Sequence, residues 1–243
     1  MRLSPSLSIA AAALSGLLLS AQADTLSGLA KSIATPSAAA QALPDSDIAA
    51  GIKQALAKGT RTAVNQLGRQ GGFWDNARFR IPLPGPVEKV QGLLKEAGMG
   101  AQVEQLHLTI NRAAEQAVPV AADVFAQAVQ KLTIDDARQI LAGPPDAATQ
   151  YFKRTTSAAL TAKFEPIVAG VTSRLGVVQQ YDKVMAAAGP LAGMLGGNPS
   201  LNDYVTRKAL AALFTRVGEE EKSIRENPAA RTTDLLKAVF GAH

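Results

Sequence analysis

From Asp45 onward apolar residues recur three and four positions apart, the spacing of a helix that buries one face. Ile48, Ile52, Leu56, Ala63 and Leu67 form the first such stripe, and Gly68 stands where a helix would end. Gly59 falls inside it at a cost of about 1 kcal/mol relative to Ala, so this helix depends on packing. Pro86 suits the first turn of a second helix, with Val87, Val90, Leu93 and Leu94 turned inward as far as Gly98. Val103, Leu106, Ile110, Ala114 and Ala117 mark a third, and Pro119 starts or kinks another that carries Val124, Phe125, Val129 and Leu132. Thr133 followed by Asp136 is a capping pattern ahead of Ile134, Ile140 and Leu141. The longest stretch begins at Asp146 and runs to Leu175, with Pro166 expected to kink or split it near Phe164. Val177 to Ala188 predicts a further helix. Ser200 with Asp203 caps Tyr204–Arg225, Asn227-Pro228 breaks it, and Thr232–Phe240 closes the chain.

Three segments lack this period. Residues 70–86 are aperiodic and made extended by their prolines. Gly189–Pro199 is a Gly/Pro loop, and Thr35–Leu43 reads as a linker rich in Ala, Ser and Pro after a short helical start at Asp24–Ile33. No segment alternates apolar and polar residues over a useful length, so no sheet is expected. The expected fold is all-α: an irregular bundle of roughly eight to ten helices over 45–243, with one extended loop at 70–86.

The amino terminus carries a different pattern. Arg2, an apolar run from Leu7 to Leu19 and the small-residue site Ala21-Gln22-Ala23 make a secretory signal peptide over 1–23, cleaved before Asp24. That run is shorter than the ~20 apolar residues a membrane span needs, and no transmembrane segment is expected elsewhere. The expected location is the periplasm, with 24–44 as the segment leading into the helical domain. Losing Arg2 from the 25 basic residues leaves 24 against 20 acids, a net charge of +4 that suits anionic membrane or glycan surfaces. Nucleic acid is not expected as a partner of an exported chain. Cysteine is absent, which removes disulfides, thiol nucleophiles and thiolate metal sites.

Catalytic chemistry is scarce. His107, between two leucines, has no nucleophile placed beside it by spacing, and His243 is terminal. No catalytic residue, metal site or cofactor is assigned. Glu104, Glu115, Asp123 and Glu165 could serve a glycan hydrolase, but nothing in the sequence pairs them. Glu219-Glu220-Glu221 reads as a solvated face with Lys222 and Arg225 as helical partners.

Two segments stand out. Gly71–Pro84 holds the only Trp, two of seven Phe, and Arg78 and Arg80. Trp74, Arg78 and Arg80 form either a recognition surface for an anionic, sugar or protein partner, or a plug set into the core. Trp74 is expected to be largely buried, and Arg80 rather than Arg78 to be tied to an internal carboxylate. The second segment is Asp146–Thr156, where Gln150, Tyr151 and Arg154 lie on neighbouring helical turns as a polar ligand site or as part of a capped amphipathic helix.

Phe79–Pro84, Asn111–Glu115 with Val118-Pro119, Asp146–Thr156 and Arg225–Leu236 together resemble an exported bacterial family catalogued as domain of unknown function 4197. The similarity runs from about Asp45 to Gly241. It implies an exported helical protein of Gram-negative bacteria and brings no activity, cofactor or catalytic residue. The functional expectation is a non-catalytic ligand- or partner-binding protein of the cell envelope. The alternatives are an interaction module without a small ligand, or a carboxylate-dependent enzyme acting on envelope glycans.

Overall fold

Because the apolar stripes have helical period and no alternating segment competes, each stripe forms a helix and the helices bury their stripes against one another. The computed structural model describes residues 43–174, 176–187 and 200–241. Its helices are α1 (Asp45–Leu67), α2 (Gly85–Leu94), α3 (Gly100–Ala117), α4 (Ala121–Lys131), α5 (Ile134–Ala142), α6 (Ala147–Arg174), α7 (Val177–Ala187), α8 (Leu201–Glu226) and α9 (Asp234–Gly241). A π-turn over Lys95–Met99 joins α2 to α3, with Gly98 at φ +80° marking the bend. Short 3₁₀ turns at Val118–Val120 and Pro228–Ala230 place the prolines where a missing N–H costs nothing. No strand occurs among the described residues. The expected signal peptide, the linker and the Gly/Pro loop lie outside them.

Two long helices organise the bundle. α1 packs on α4, α5, α8 and α9, while α6 packs on α3, α4 and α8. Where α4, α6 and α8 meet, Phe125 contacts Phe152 and Phe214 edge-to-face, at centroid separations of 5.0 and 6.2 Å. Such pairs add about 0.5–1.5 kcal/mol each beyond the area they bury. Gly59 has its explanation here: a Cβ at that position would lie 3.3 Å from Cβ of Glu220, so the missing side chain lets α8 approach α1 closely.

The expected capping patterns are present. Thr133 and Asp136 make a reciprocal box, with Asp136 N–H donating to Thr133 Oγ1 at 3.1 Å and Thr133 N–H to Asp136 Oδ2 at 3.0 Å. The Thr133 hydroxyl, which donates to Asp136 Oδ2 at 2.7 Å, and then the Thr133 N–H hold the Asp136 carboxyl below its ordinary pKa. Asp203 N–H reaches Ser200 Oγ at 3.4 Å. Of the kink or split expected at Pro166, the split does not occur: α6 runs through it from Ala147 to Arg174. Leu160, Phe164 and Val168 on either side are fully buried, so packing against α3 and α8 outweighs the lost backbone bond.

The run Glu219-Glu220-Glu221 also departs from expectation, since it is not a solvated face. Glu221 is 8% exposed and accepts from the N–H groups of Ala148 (3.0 Å) and Thr149 (2.9 Å), and from Thr149 Oγ1 (2.8 Å). It thereby caps the first turn of α6, the end of a helix where a negative charge is stabilising. Arg225 neutralises it at 3.0 Å and also donates to the Ile140 carbonyl at 2.7 Å. Glu219 and Glu220 are half-buried and both pair with Arg216.

Candidate functional site

The aperiodic loop leaves α1 at Gly68 and turns back sharply. Gly71 has φ +83°, a conformation a side chain resists, and a Cβ there would collide with the Asp75 carboxylate. The turn delivers Phe73 and Trp74 to α3, where a buried carboxylate waits. Glu115 Oε1 accepts from both Phe73 N–H and Trp74 N–H at 3.0 Å, and its Oε2 takes Arg112 Nη1 at 2.6 Å. Farther along, Asn111 receives the Ile81 N–H at 2.7 Å and returns a bond to the Ile81 carbonyl at 3.0 Å, treating the segment as a neighbouring strand would. His107 Nε2 reaches the same carbonyl at 3.0 Å. A carbonyl can only accept, so that nitrogen carries the proton and Nδ1 is left free. On the other side, the Tyr204 hydroxyl donates to the Pro82 carbonyl at 2.9 Å. Burial, with Glu88 and Tyr181 nearby, pushes that phenol up to about 12.

Thus side chains from α3 and α8 supply the bonds a sheet would have supplied to residues 81–82. The motif Asn111–Glu115 is the clamp for the motif Phe79–Pro84. Its signal in the sequence was a polar residue on an apolar stripe, for both Asn111 and Glu115 are buried between Ile110, Ala113, Ala114 and Ala117.

The apolar anchors of the loop are Phe73, Phe79, Ile81 and Leu83, all buried. Trp74 is half-exposed, contrary to the expectation of burial, because Phe73 takes the interior position beside it. The indole meets His107 edge-on at a centroid separation of 5.0 Å, and Arg80 lies over its ring at 4.7 Å. Arg80 Nε donates to the Trp74 carbonyl at 2.6 Å, which fixes the stack. The two arginines therefore exchange their expected roles. Arg78 pairs with Glu219, at the edge of the Arg216 network, while Arg80 has no carboxylate partner among the described residues.

The second group of candidates comes together elsewhere. Gln150, Tyr151 and Arg154 line a cleft of about 280 Å³ between α5 and α6, with Asp136, Gln139 and Pro144 opposite. Only part of their chemistry faces it. The Tyr151 hydroxyl is turned inward to the Ala128 carbonyl at 3.2 Å, and Gln150 is bonded to Asp146 at 2.8 Å. Arg154 is exposed.

No group of three His, Asp or Glu side chains is placed to hold a metal among the described residues. Glu115, the most buried of the four carboxylates considered for hydrolysis, has both oxygens occupied by internal donors. The interior void bounded by Ile52, Leu56, Phe152, Val217 and Phe240 is about 20 Å³, room for a single water rather than an apolar ligand.

The side-chain clamp on the loop links segments that the sequence motifs had already singled out, and the family comparison covers the same stretch. The profile of DUF4197, described as a protein of unknown function, matches residues 42–241. The chain belongs to this DUF4197 family. Comparison with the curated proteins and with the solved structures finds no match. Within this DUF4197 domain no described helix is long and apolar enough to cross a membrane.

Proposed function

We propose that the protein is an exported, non-catalytic binding module of the cell envelope, and that the Trp74–Arg80 pair is its recognition surface for an anionic group. The observation that carries this reading is the state of Arg80. Its Nε and one face of the guanidinium are committed to Trp74, so the side chain is held in place. Its terminal NH₂ groups have no acceptor among the described residues. A guanidinium fixed by stacking loses little freedom when it binds, and its planar fork suits carboxylates and tetrahedral oxyanions. Trp and Arg are also the residues that most often dominate binding energies. Export is supported by the signal-like pattern over residues 1–23, and periplasmic location follows from it. Sequencing the amino terminus of the mature protein tests it, with Asp24 expected.

Trp74, as the only tryptophan, reports on the site directly. Titration with inorganic sulfate and with phosphatidylglycerol vesicles should change its fluorescence, and Arg80→Gln should weaken that response about tenfold or more, the worth of one charge-assisted hydrogen bond. Arg78→Gln should leave it nearly unchanged. Equal loss from both variants, or from neither, would discard the assignment. Native mass spectrometry of protein recovered from its own compartment would show whether a ligand or a second protein travels with it.

A further inference from the structure

We propose that His107 is the proton-linked second cation of the Trp74–Arg80 site, so that acidification tightens oxyanion binding there. This inference rests on the reading above and deepens it. The His107 and Trp74 rings meet edge-to-face at a centroid separation of 5.0 Å while the Arg80 guanidinium lies 4.7 Å from the indole centroid, so two basic side chains share one aromatic. Because Nε2–H is spent on the Ile81 carbonyl, a proton added to His107 goes to Nδ1 and leaves the clamp intact. The charged groups that face the imidazole are Glu104 on its own helix, Glu88 on α2 and Arg80 on the loop. Burial holds the imidazole below its ordinary pKa, Arg80 adds to that effect, and the Ile81 bond and the two glutamates oppose it.

Linkage follows from this arrangement. An oxyanion on Arg80 neutralises the charge that resists protonation of His107, and by reciprocity a protonated His107 strengthens the hold on the oxyanion. The ligand class is a tetrahedral oxyanion, whether a free ion or a phospholipid headgroup.

The test uses inorganic sulfate, whose charge does not change over the range, and phosphatidylglycerol vesicles, with Trp74 fluorescence as the readout. Affinity should rise about threefold or more between roughly pH 7.5 and pH 5.5, the effect of one added charge within a screened neighbourhood. Whichever probe shows the rise identifies the source. His107→Gln keeps an N–H for Ile81 and should abolish the rise, leaving its affinity the same at the two pH values. The imidazole pKa of His107, followed by NMR in the unmodified protein, should move up when sulfate is added. Binding that depends on Arg80 yet is equally strong at both pH values overturns the proposal and leaves the reading of the site standing. So does a pH dependence that survives His107→Gln, or an imidazole pKa indifferent to sulfate. Binding unaffected by Arg80→Gln overturns the reading itself.

Discussion

Replacing Glu115 by alanine removes one carboxylate from α3 and undoes the anchorage of a loop 41 residues away. Two backbone donors, Phe73 N–H and Trp74 N–H, lose their acceptor at 3.0 Å, and Arg112 loses its carboxylate at 2.6 Å. An orphaned buried donor costs about 1–3 kcal/mol, and Trp74, being half-exposed, recovers part of its share from water. Breaking a buried ion pair from one side costs about 3–5 kcal/mol, in part the same loss counted from the other partner. Together they place Glu115→Ala at about 3–5 kcal/mol. Against a stability of about 5–15 kcal/mol the protein stays folded but visibly weakened. Glu115→Gln keeps an oxygen for the two N–H groups and gives up the charge, so about half the loss is expected. Urea unfolding followed by circular dichroism measures both, and Trp74 emission reports the loop. A loss within about ±0.5 kcal/mol for Glu115→Ala, as at an ordinary surface position, would refute the reasoning. So would a large loss with Trp74 emission unmoved.

Thr133→Ala should cost about 1 kcal/mol by opening the capping box of α5, measurable as a shift in the urea midpoint. Gly71→Ala should cost more than about 1 kcal/mol, since it meets both a positive φ and the Asp75 carboxylate, and its Trp74 emission should change with the loop. The pH dependence has a definite sign. Burial holds the folded-state pKa of His107 below the ordinary imidazole value, so between that lowered pKa and the usual ~6.5 the unfolded chain binds more protons. Stability should be complete above about pH 6.5 and fall with acidification through the lower pKa, and urea melts of His107→Gln should show a flatter profile over that window.

The helical architecture was legible because it rests on periodicity, and the caps because they rest on neighbours three residues apart. What the sequence could not resolve were choices made by distant partners. Phe73 and Trp74 are adjacent and both aromatic, and only the position of α3 decides which is buried. Arg78 finds Glu219 across the fold, a pairing no local pattern encodes. Pro166 would kink or end a free helix, but here α6 continues past it with Leu160, Phe164 and Val168 buried on either side. Glu221 was readable in principle: it lies four residues after Val217 and three before Ile224, both buried, and so falls on the apolar stripe of α8. The triplet of acids around it concealed that position. The Trp74–Arg80 stack was half legible, for the sequence brought the residues into one loop but could not tell which arginine would be left without a carboxylate.

The extended segment through Ile81 and Pro82 bears on behaviour at high concentration. A stretch of this kind, with alternate residues buried, is ordinarily an invitation to strand addition by another copy. Here Asn111 and His107 occupy the polar groups of Ile81, Tyr204 takes the Pro82 carbonyl, and Pro82 and Pro84 have no N–H to give. Arg80 N–H is spent on the Asn76 carbonyl, which leaves Leu83 with the only uncommitted N–H of residues 80–84 among the described residues. Most ladder positions of this strand-like segment are thus already taken, and loosening its clamp should open them to pairing with another copy.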